Sequence, residues 1–445
     1  MKKLLAVVTG MLLVFGFTAS AFAIHADIPS ETQAVVAKGQ TQITLDGEIR
    51  VRGEYQHNTA TFNEDHKSYY DQRVRLGVEA KVTPNTMGYV QLESGNADNT
   101  DLWTWGKAPN GADGAKGTYA VGNSKRGSLT ILQAWILHTG SGLLGMPAGV
   151  KVGHMPLKLG NGLFFDHTKF GDDAIVLFAD PTKEIHTALL TAKFREGVTS
   201  SSDDADAYVG LVVYSPNKST SVSFDATYVD DQKTFMFPNN THLWNFGLRG
   251  NTDISGFALR ADAELQTGKV DTNPDVKFKG YSYLLGVGYK LAPVSLTLDY
   301  ANGSGDDGSD PRKFKTFVTS LGADQHFTYV YEYRTVNAAG NANGGLQNTW
   351  YLKLGGSADL MKDLSLDAAI YYLRANKAVA LNGAGATKTS KKLGTELDAK
   401  VTYKIDRNLN YWVEGGYLFA GSAFDSATKG AEDAYAVRHG IQLNF

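Results

Sequence analysis

Thr41-Gln42-Ile43-Thr44-Leu45-Asp46-Gly47-Glu48-Ile49-Arg50-Val51-Arg52-Gly53-Glu54-Tyr55-Gln56 reads as two interleaved sequences. The odd positions hold Ile43, Leu45, Gly47, Ile49, Val51, Gly53 and Tyr55, whereas the even ones hold Thr44, Asp46, Glu48, Arg50, Arg52, Glu54 and Gln56. Successive side chains of a strand point to opposite faces, so this segment is a strand with one apolar and one charged face. A helix would mix the two sets around its circumference.

The same split recurs to the end of the chain. Val74, Leu76, Val78 and Ala80 oppose Asp71, Arg73, Arg75, Glu79 and Lys81. Val222, Phe224, Ala226 and Tyr228 oppose Ser223, Asp225 and Thr227. Phe257, Leu259, Ala261, Ala263 and Leu265 oppose Arg260, Asp262, Glu264 and Gln266. Val294, Leu296, Leu298 and Tyr300 oppose Ser295, Thr297 and Asp299, and Leu397, Ala399, Val401 and Tyr403 oppose Glu396, Asp398, Lys400, Thr402 and Lys404. Tyr435, Val437, Ile441, Leu443 and the final Phe445 share one face, broken by His439 at a position that suits a bulge or an interface.

A soluble β-sandwich or β-helix alternates too, but packs its apolar face into a core. A transmembrane barrel turns that face to lipid and the polar one to water. Three features favour the barrel. The polar faces carry full charges. The strands run to about 10–14 residues, where globular ones average about 5–6. Aromatics gather near strand ends (Tyr55, Tyr69, Tyr70, Tyr89, Tyr228, Trp244, Tyr300, Trp350, Tyr403, Tyr411, Tyr417), as membrane-interface girdles do.

Composition agrees. The 445 residues include 48 Gly and 22 Tyr but no Cys, which excludes a disulfide scaffold, thiolate zinc, iron–sulfur clusters and covalent c-type haem. A formal net charge of −3 is no footprint for nucleic acid.

Lys2 and Lys3, an apolar run from Leu4 to Phe17 and the small-residue site Ala21-Phe22-Ala23 read as a signal peptide, residues 1–23. Cleavage near Ala23 leaves 41 basic and 46 acidic side chains, a charge of −5. Residues 24–40 form a leader and 41–445 the barrel.

Connections alternate in length. Short turns are expected at Pro84-Asn85, 140–148, Pro181-Thr182-Lys183, Pro216-Asn217-Lys218, Asn251-Thr252-Asp253, Ala292-Pro293, Met361-Lys362-Asp363 and Asp406-Arg407-Asn408. Long loops are expected at 57–66, 96–126, 160–172, 196–204, 231–240, 268–277, 302–345, 376–392 and 421–432. Eight turns and nine loops join about 18 strands with both termini on the short-turn side. The fold class is therefore all-β: a single transmembrane antiparallel barrel with short periplasmic turns and long extracellular loops. Alternation is poorest over 127–139, 148–159 and 173–179, and the segment 313–335 has room for a further hairpin.

Several motifs carry a family resemblance. Lys151-Val-Gly-His-Met-Pro-Leu-Lys-Leu-Gly-Asn-Gly-Leu-Phe-Phe-Asp166, followed by Asp172-Asp173-Ala174-Ile175-Val176-Leu177, resembles the strand-plus-loop signature of alginate-export-type outer-membrane porins. Tyr300-Ala-Asn-Gly-Ser-Gly-Asp-Asp-Gly308 with Lys313–Phe317, and Leu346–Leu352 with Leu364–Leu373, are similar to further family segments, as are Gly47–Gly53 and Gln72–Gly77. The resemblance spans the mature chain. It implies an eighteen-stranded, single-chain, monomeric barrel in the outer membrane of a Gram-negative bacterium, passing a small or polymeric anionic solute. Where the family motif reads Gly-Arg-Gln, this chain has Gly153-His154-Met155, so the resemblance does not carry the alginate ligand itself over to this chain.

Alternation puts Arg50, Arg52, Arg73, Arg75, Arg249, Arg260, Lys353, Lys400 and Arg438 in the lumen, with Lys81, Lys290 and Lys404. It also puts there Asp46, Glu48, Asp71, Glu79, Asp225, Asp262, Glu264, Asp299, Glu396 and Asp398, with Glu54, Glu93, Asp367 and Glu414. Twelve bases against fourteen acids make no uniform anion conduit. Arg50, Arg52, Arg73 and Arg75, on adjacent strands, form either a selective basic ladder or cross-strand ion pairs that solvate the wall. Loops 160–172 and 302–345 are the candidates to narrow the pore, with Asn161, Phe164 and Asp166 as candidate constriction residues.

No H-E-x-x-H, G-x-S-x-G or G-x-x-x-x-G-K-[ST] pattern occurs. Gly305-Asp306-Asp307-Gly308-Ser309-Asp310 lacks EF-hand spacing and reads as a solvated loop rather than a Ca²⁺ site. The expected function is a passive porin with no cofactor, metal or catalysis, biased toward anions at the ladder. Its expected partners are outer-membrane lipid, a hydrophilic solute and, through terminal Phe445, the barrel-assembly machinery. The alternatives are a structural sheath or partner for an export or electron-transfer complex, and a barrel hydrolase.

Overall fold

The computed structural model describes residues 34–38 and 41–445, apart from 61, 63–64, 96–102, 105–127, 141, 143–144, 199, 233–236, 320–326, 336–337, 339–343, 382–388 and 427. The expected signal peptide and most of the leader lie outside the described residues.

Strand order follows from the alternation. The staves are β1 (Thr41–His57), β2 (His66–Thr83), β3 (Thr86–Gly95), β4 (Ser128–Gly140), β5 (Ala148–Met155) and β6 (Asp172–Ala179). Next come β7 (Ile185–Arg195), β8 (Ala205–Asn217), β9 (Thr220–Asp231), β10 (Thr241–Ile254), β11 (Phe257–Val270) and β12 (Tyr281–Leu291). The last are β13 (Val294–Gly303), β14 (Thr349–Met361), β15 (Leu364–Val379), β16 (Ser390–Asp406), β17 (Leu409–Ala420) and β18 (Ala434–Asn444). Each pairs antiparallel with its chain neighbour, and β1 pairs antiparallel with β18 from Glu48↔Asn444 to His57↔Tyr435. Closure leaves no stave edge unpaired in lipid. Among the described residues no helix is long and apolar enough to cross a membrane.

Eight short turns occupy one rim and nine longer connections the other. The turn after β10 is Ser255-Gly256, not Asn251–Asp253: those three residues remain paired with Ser219–Ser221 and Ala258–Arg260, and positive φ at Ser255 and Gly256 makes the reversal. The turn after β8 is likewise Lys218-Ser219, beginning two residues beyond Pro216. The region 313–335 holds no transmembrane hairpin among its described residues. Lys313–Phe314 instead pairs in parallel with Val276–Phe278, and Tyr331–Arg334 forms one helical turn, α1.

The outer face is apolar as read: Ile49, Leu76, Leu189, Phe224, Leu265 and Leu354 are exposed there. Neighbouring rings in contact girdle the long-loop rim, including Tyr208–Tyr228–Trp244, Tyr283–Tyr300–Trp350–Tyr372 and Tyr417–Tyr435–Tyr55. Tyr69 and Tyr89 do not belong to a girdle. They face inward, and Tyr89 Oη donates to Asp46 at 3.1 Å. His439 causes no bulge. The ladder runs unbroken through Gly53↔His439↔Val413, and the imidazole lies outside, between the hydroxyls of Tyr70 (3.3 Å) and Tyr411 (3.4 Å).

Poor alternation over β4–β6 has two physical causes. Opposite β3, Gln91 pairs with Gln133 and Leu92 with Ile131, so Leu132 is an extra residue that inverts the period. On β6, and equally on β7 and β8, the inner face is apolar too: Ala174, Val176, Leu190, Ala207, Val209 and Leu211 are all buried. Something apolar covers them from inside.

Candidate functional site in the lumen

The covering element is the connection between β5 and β6, which folds inward. Leu157–Leu159 and Phe165–His167 form a small hairpin, with Leu159 N–H donating to Phe165 O at 2.9 Å and His167 N–H to Leu157 O at 2.8 Å. Gly160 and Gly162 adopt φ +54 and +77 at its tip, backbone that L side chains rarely take. Met155, Leu157, Leu159, Phe164 and Phe165 are no more than 2% exposed and pack on the inner wall of β6–β9. Burying a side chain of that size contributes about 1.5–3 kcal/mol, so five of them hold the hairpin firmly.

Its tip reaches β11. Asn161 donates its backbone N–H (3.1 Å) and Nδ2–H (3.0 Å) to Asp262 Oδ2. Beneath Gly160 lies Arg249, paired with Asp225, with Glu264 at 2.5 Å and with Asp262 at 3.3 Å. These four side chains are buried under the hairpin and do not border its water-facing surface. Asp166 is paired with Lys158 at 2.8 Å, and at the hairpin's base His167 Nδ1 meets Asp172 at 2.8 Å.

A second inward segment, residues 327–335, comes from the β13–β14 connection and includes α1. Val330 N–H donates to Glu396 Oε1 at 2.5 Å, Tyr331 N–H to Glu396 Oε2 at 2.8 Å, and Tyr329 N–H to Asp398 Oδ2 at 3.0 Å. Tyr331 is fully buried, its hydroxyl 2.8 Å from Thr349 Oγ1. Arg334 leaves the segment toward β1, where its Nε donates to Glu54 Oε1 at 2.8 Å. Its guanidinium lies over the rings of Tyr329 (3.8 Å) and Tyr333 (4.2 Å).

The four arginines of β1 and β2 are not equivalent. Arg52 binds Asp71 through both Nε (2.8 Å) and Nη2 (3.0 Å). Arg73 reaches diagonally to Glu48 at 2.7 Å, and Arg75 to Glu93 at 2.5 Å. Arg50 stands directly opposite Arg73, and among the described residues it has no counter-ion; its Nε is buried without an acceptor. Elsewhere Arg260 pairs with Asp299 at 2.8 Å, Lys353 lies 3.6 Å from Asp299, Arg438 pairs with Glu414, and Lys400 lies 3.9 Å from Glu414. Glu79 faces the lumen beside Tyr89.

Lys151, Tyr329, Tyr333 and Arg334 are absent from the alternation-based set. Lys151 faces inward over the Trp135 ring at 4.0 Å. Its inward parity could have been counted on β5. Arg334 sits in a loop, where alternation says nothing; the run Tyr329-Val-Tyr-Glu-Tyr-Arg334 was the available signal.

The profile of the family described as alginate export matches residues 41–437. The crystal structure of Pseudomonas aeruginosa OccK9 (OpdG) is similar at 11% identity and TM-score 0.57, covering 91% of this chain and 98% of that one. Acinetobacter baumannii OccAB1 is similar at 12% identity and TM-score 0.57, covering 90% and 96%. Pseudomonas aeruginosa OpdK, crystallised with vanillate, is similar at 9% identity and TM-score 0.54, covering 90% and 98%. No curated protein matches the chain.

Proposed function

Since this chain belongs to the alginate export family, we propose that it is a passive channel for hydrophilic solutes with a bias toward anions set at Arg50. It is a bacterial outer-membrane protein with the barrel of an outer-membrane channel. The observation that carries the proposal is the uneven neutralisation of the arginine ladder. Arg52, Arg73 and Arg75 each have a carboxylate within 2.8 Å, whereas Arg50 has none among the described residues. Paired arginines solvate the wall; an uncompensated one attracts a passing carboxylate or phosphate.

The inward hairpin and the 327–335 segment support a channel over a sheath. A sheath needs an unobstructed bore for its partner, and these two loops narrow it from one side each. Asn161, Phe164 and Asp166 then serve the constriction by holding the hairpin in place: Asn161 as its far tether, Phe164 as its apolar anchor and Asp166 as the partner of Lys158.

The test is single-channel recording of the purified protein in planar bilayers. Ohmic steps with an anion-shifted reversal potential in a salt gradient are expected, and Arg50→Gln moves that potential toward zero. A protein that inserts but passes no current overturns the reading.

A further inference from the structure

The two inward loops are held by different forces. The 157–167 hairpin lies on a continuous apolar wall. Residues 327–335 have their own apolar footing in Val330, Tyr331 and Phe327, which stacks on Tyr351, and in addition bond to three carboxylates of the wall. Both oxygens of Glu396 are taken by strap N–H groups, one oxygen of Asp398 takes a third, and Glu54 on the neighbouring side of the barrel takes Arg334. The wall is shaped for this seat. At Gly416 a Cβ would stand 2.4 Å from Asp398 Oδ1, 2.9 Å from Val330 Cγ2 and 3.1 Å from Tyr329 Cβ, so any larger residue would push the strap off.

We infer that residues 327–335 form a strap latched at two points, Glu396–Asp398 on β16 and Glu54 on β1, and that release of the latch switches the channel to a wider conducting state. The inference rests on the channel reading above. Each latch point is a hydrogen-bonded contact to a wall carboxyl, and at Glu54 it is also an ion pair, so its geometry depends on those groups and not on shape alone. Unlatching moves the strap and its Arg334–Tyr329–Tyr333 stack off β1, β16 and β17 together, while the 157–167 hairpin keeps its wall. The switch is therefore local to one side of the lumen.

The chain has no cysteine, so a single V330C substitution reports the strap without background. Val330 is 0% exposed beneath it. In V330C, N-ethylmaleimide labelling should be slow. Adding E54Q or E396Q should accelerate it by about tenfold or more, since E54Q removes the charge that pairs with Arg334 and E396Q turns one acceptor oxygen into an amide N–H facing a buried strap N–H. The same two substitutions without the cysteine should raise single-channel conductance. E54Q serves where E396Q fails to give the heat-modifiable, folded band. Folded variants with unchanged labelling and unchanged conductance overturn the strap. Failure of the channel reading shows separately, as a wild type and variants that label as expected yet pass no current.

Discussion

Gly160 lies directly over the Arg249 guanidinium: a Cβ built on the glycine would stand 1.8 Å from Nε. The hairpin tip and the buried arginine are thus fitted face to face, with Asp225, Asp262 and Glu264 gathered around the arginine. Gly160→Ala should lift the tip, both by this overlap and by its φ of +54. Arg249→Met leaves three buried carboxylates without their cation and should destabilise the barrel by about 3–5 kcal/mol. Urea titration of the heat-modifiable band measures both; full stability of Arg249→Met would refute the keystone role.

Phe164 is 0% exposed among the wall side chains. Phe164→Ala should cost about 3–5 kcal/mol of local packing and raise conductance as the hairpin loosens. Conductance equal to wild type would mean that the hairpin does not narrow the pore.

Arg50 and Arg52 are neighbours on one face with opposite expected behaviour. A unit charge at about 8 Å in water changes local anion concentration about twofold, so Arg50→Gln should lower the anion-to-cation permeability ratio by about that factor at little cost in stability. Arg52→Gln strands the buried Asp71 and should instead unfold the protein at lower urea. Equal reversal potentials for wild type and Arg50→Gln would dispose of the selectivity claim.

His439 joins Tyr70 and Tyr411 outside the closing seam, spanning β2, β1, β18 and β17. Side-chain hydrogen bonds between packed membrane-spanning segments average about 0.6 kcal/mol. His439→Phe should therefore keep the ring over Gly53 and lose about 1 kcal/mol or less of stability. A loss of several kcal/mol in vesicle-refolding titrations would mark the seam as far more dependent on this clasp.

On the long-loop rim, Lys377 Nζ donates to Asp307 at 2.7 Å, and this bond, first among its partners, holds the Asp307 carboxyl well below its usual 3.8. A carboxyl depressed in the folded state contributes stability above its ordinary value and loses it only as pH falls through the folded one. The attachment should thus survive acidification to pH about 3, below the ordinary carboxylate range. Protease nicking within residues 304–315 reads it: no change between neutral pH and that point is expected, and Asp307→Asn should nick faster at both.

The staves were legible wherever one face met lipid and the other water. Ile43 to Gln56 needed no structure to be placed, and the wall's polar and apolar sides followed. Legibility failed where the protein supplies its own solvent. Ala207, Val209, Leu211 and Val213 face inward yet look like lipid-facing residues, because the 157–167 hairpin shields them. Leu132 hid the period of β4 by adding one residue. For the lumen charges, alternation assigned the face but not the register. That Arg50 meets Arg73, while Arg73 turns diagonally to Glu48, depends on pairing that no single strand encodes. Arg334 was hidden for a simpler reason: a loop has no period.

The doubly apolar staves also bear on how the chain travels. Ala207-Tyr-Val-Gly-Leu-Val-Val-Tyr214 is greasy on both sides, and polar Ser215-Pro216 closes it after eight residues. About 20 such residues would lodge in the inner membrane as a helix. Wherever a lumen hairpin demands an oily backing, brevity is what lets the polypeptide pass through the translocon to its destination.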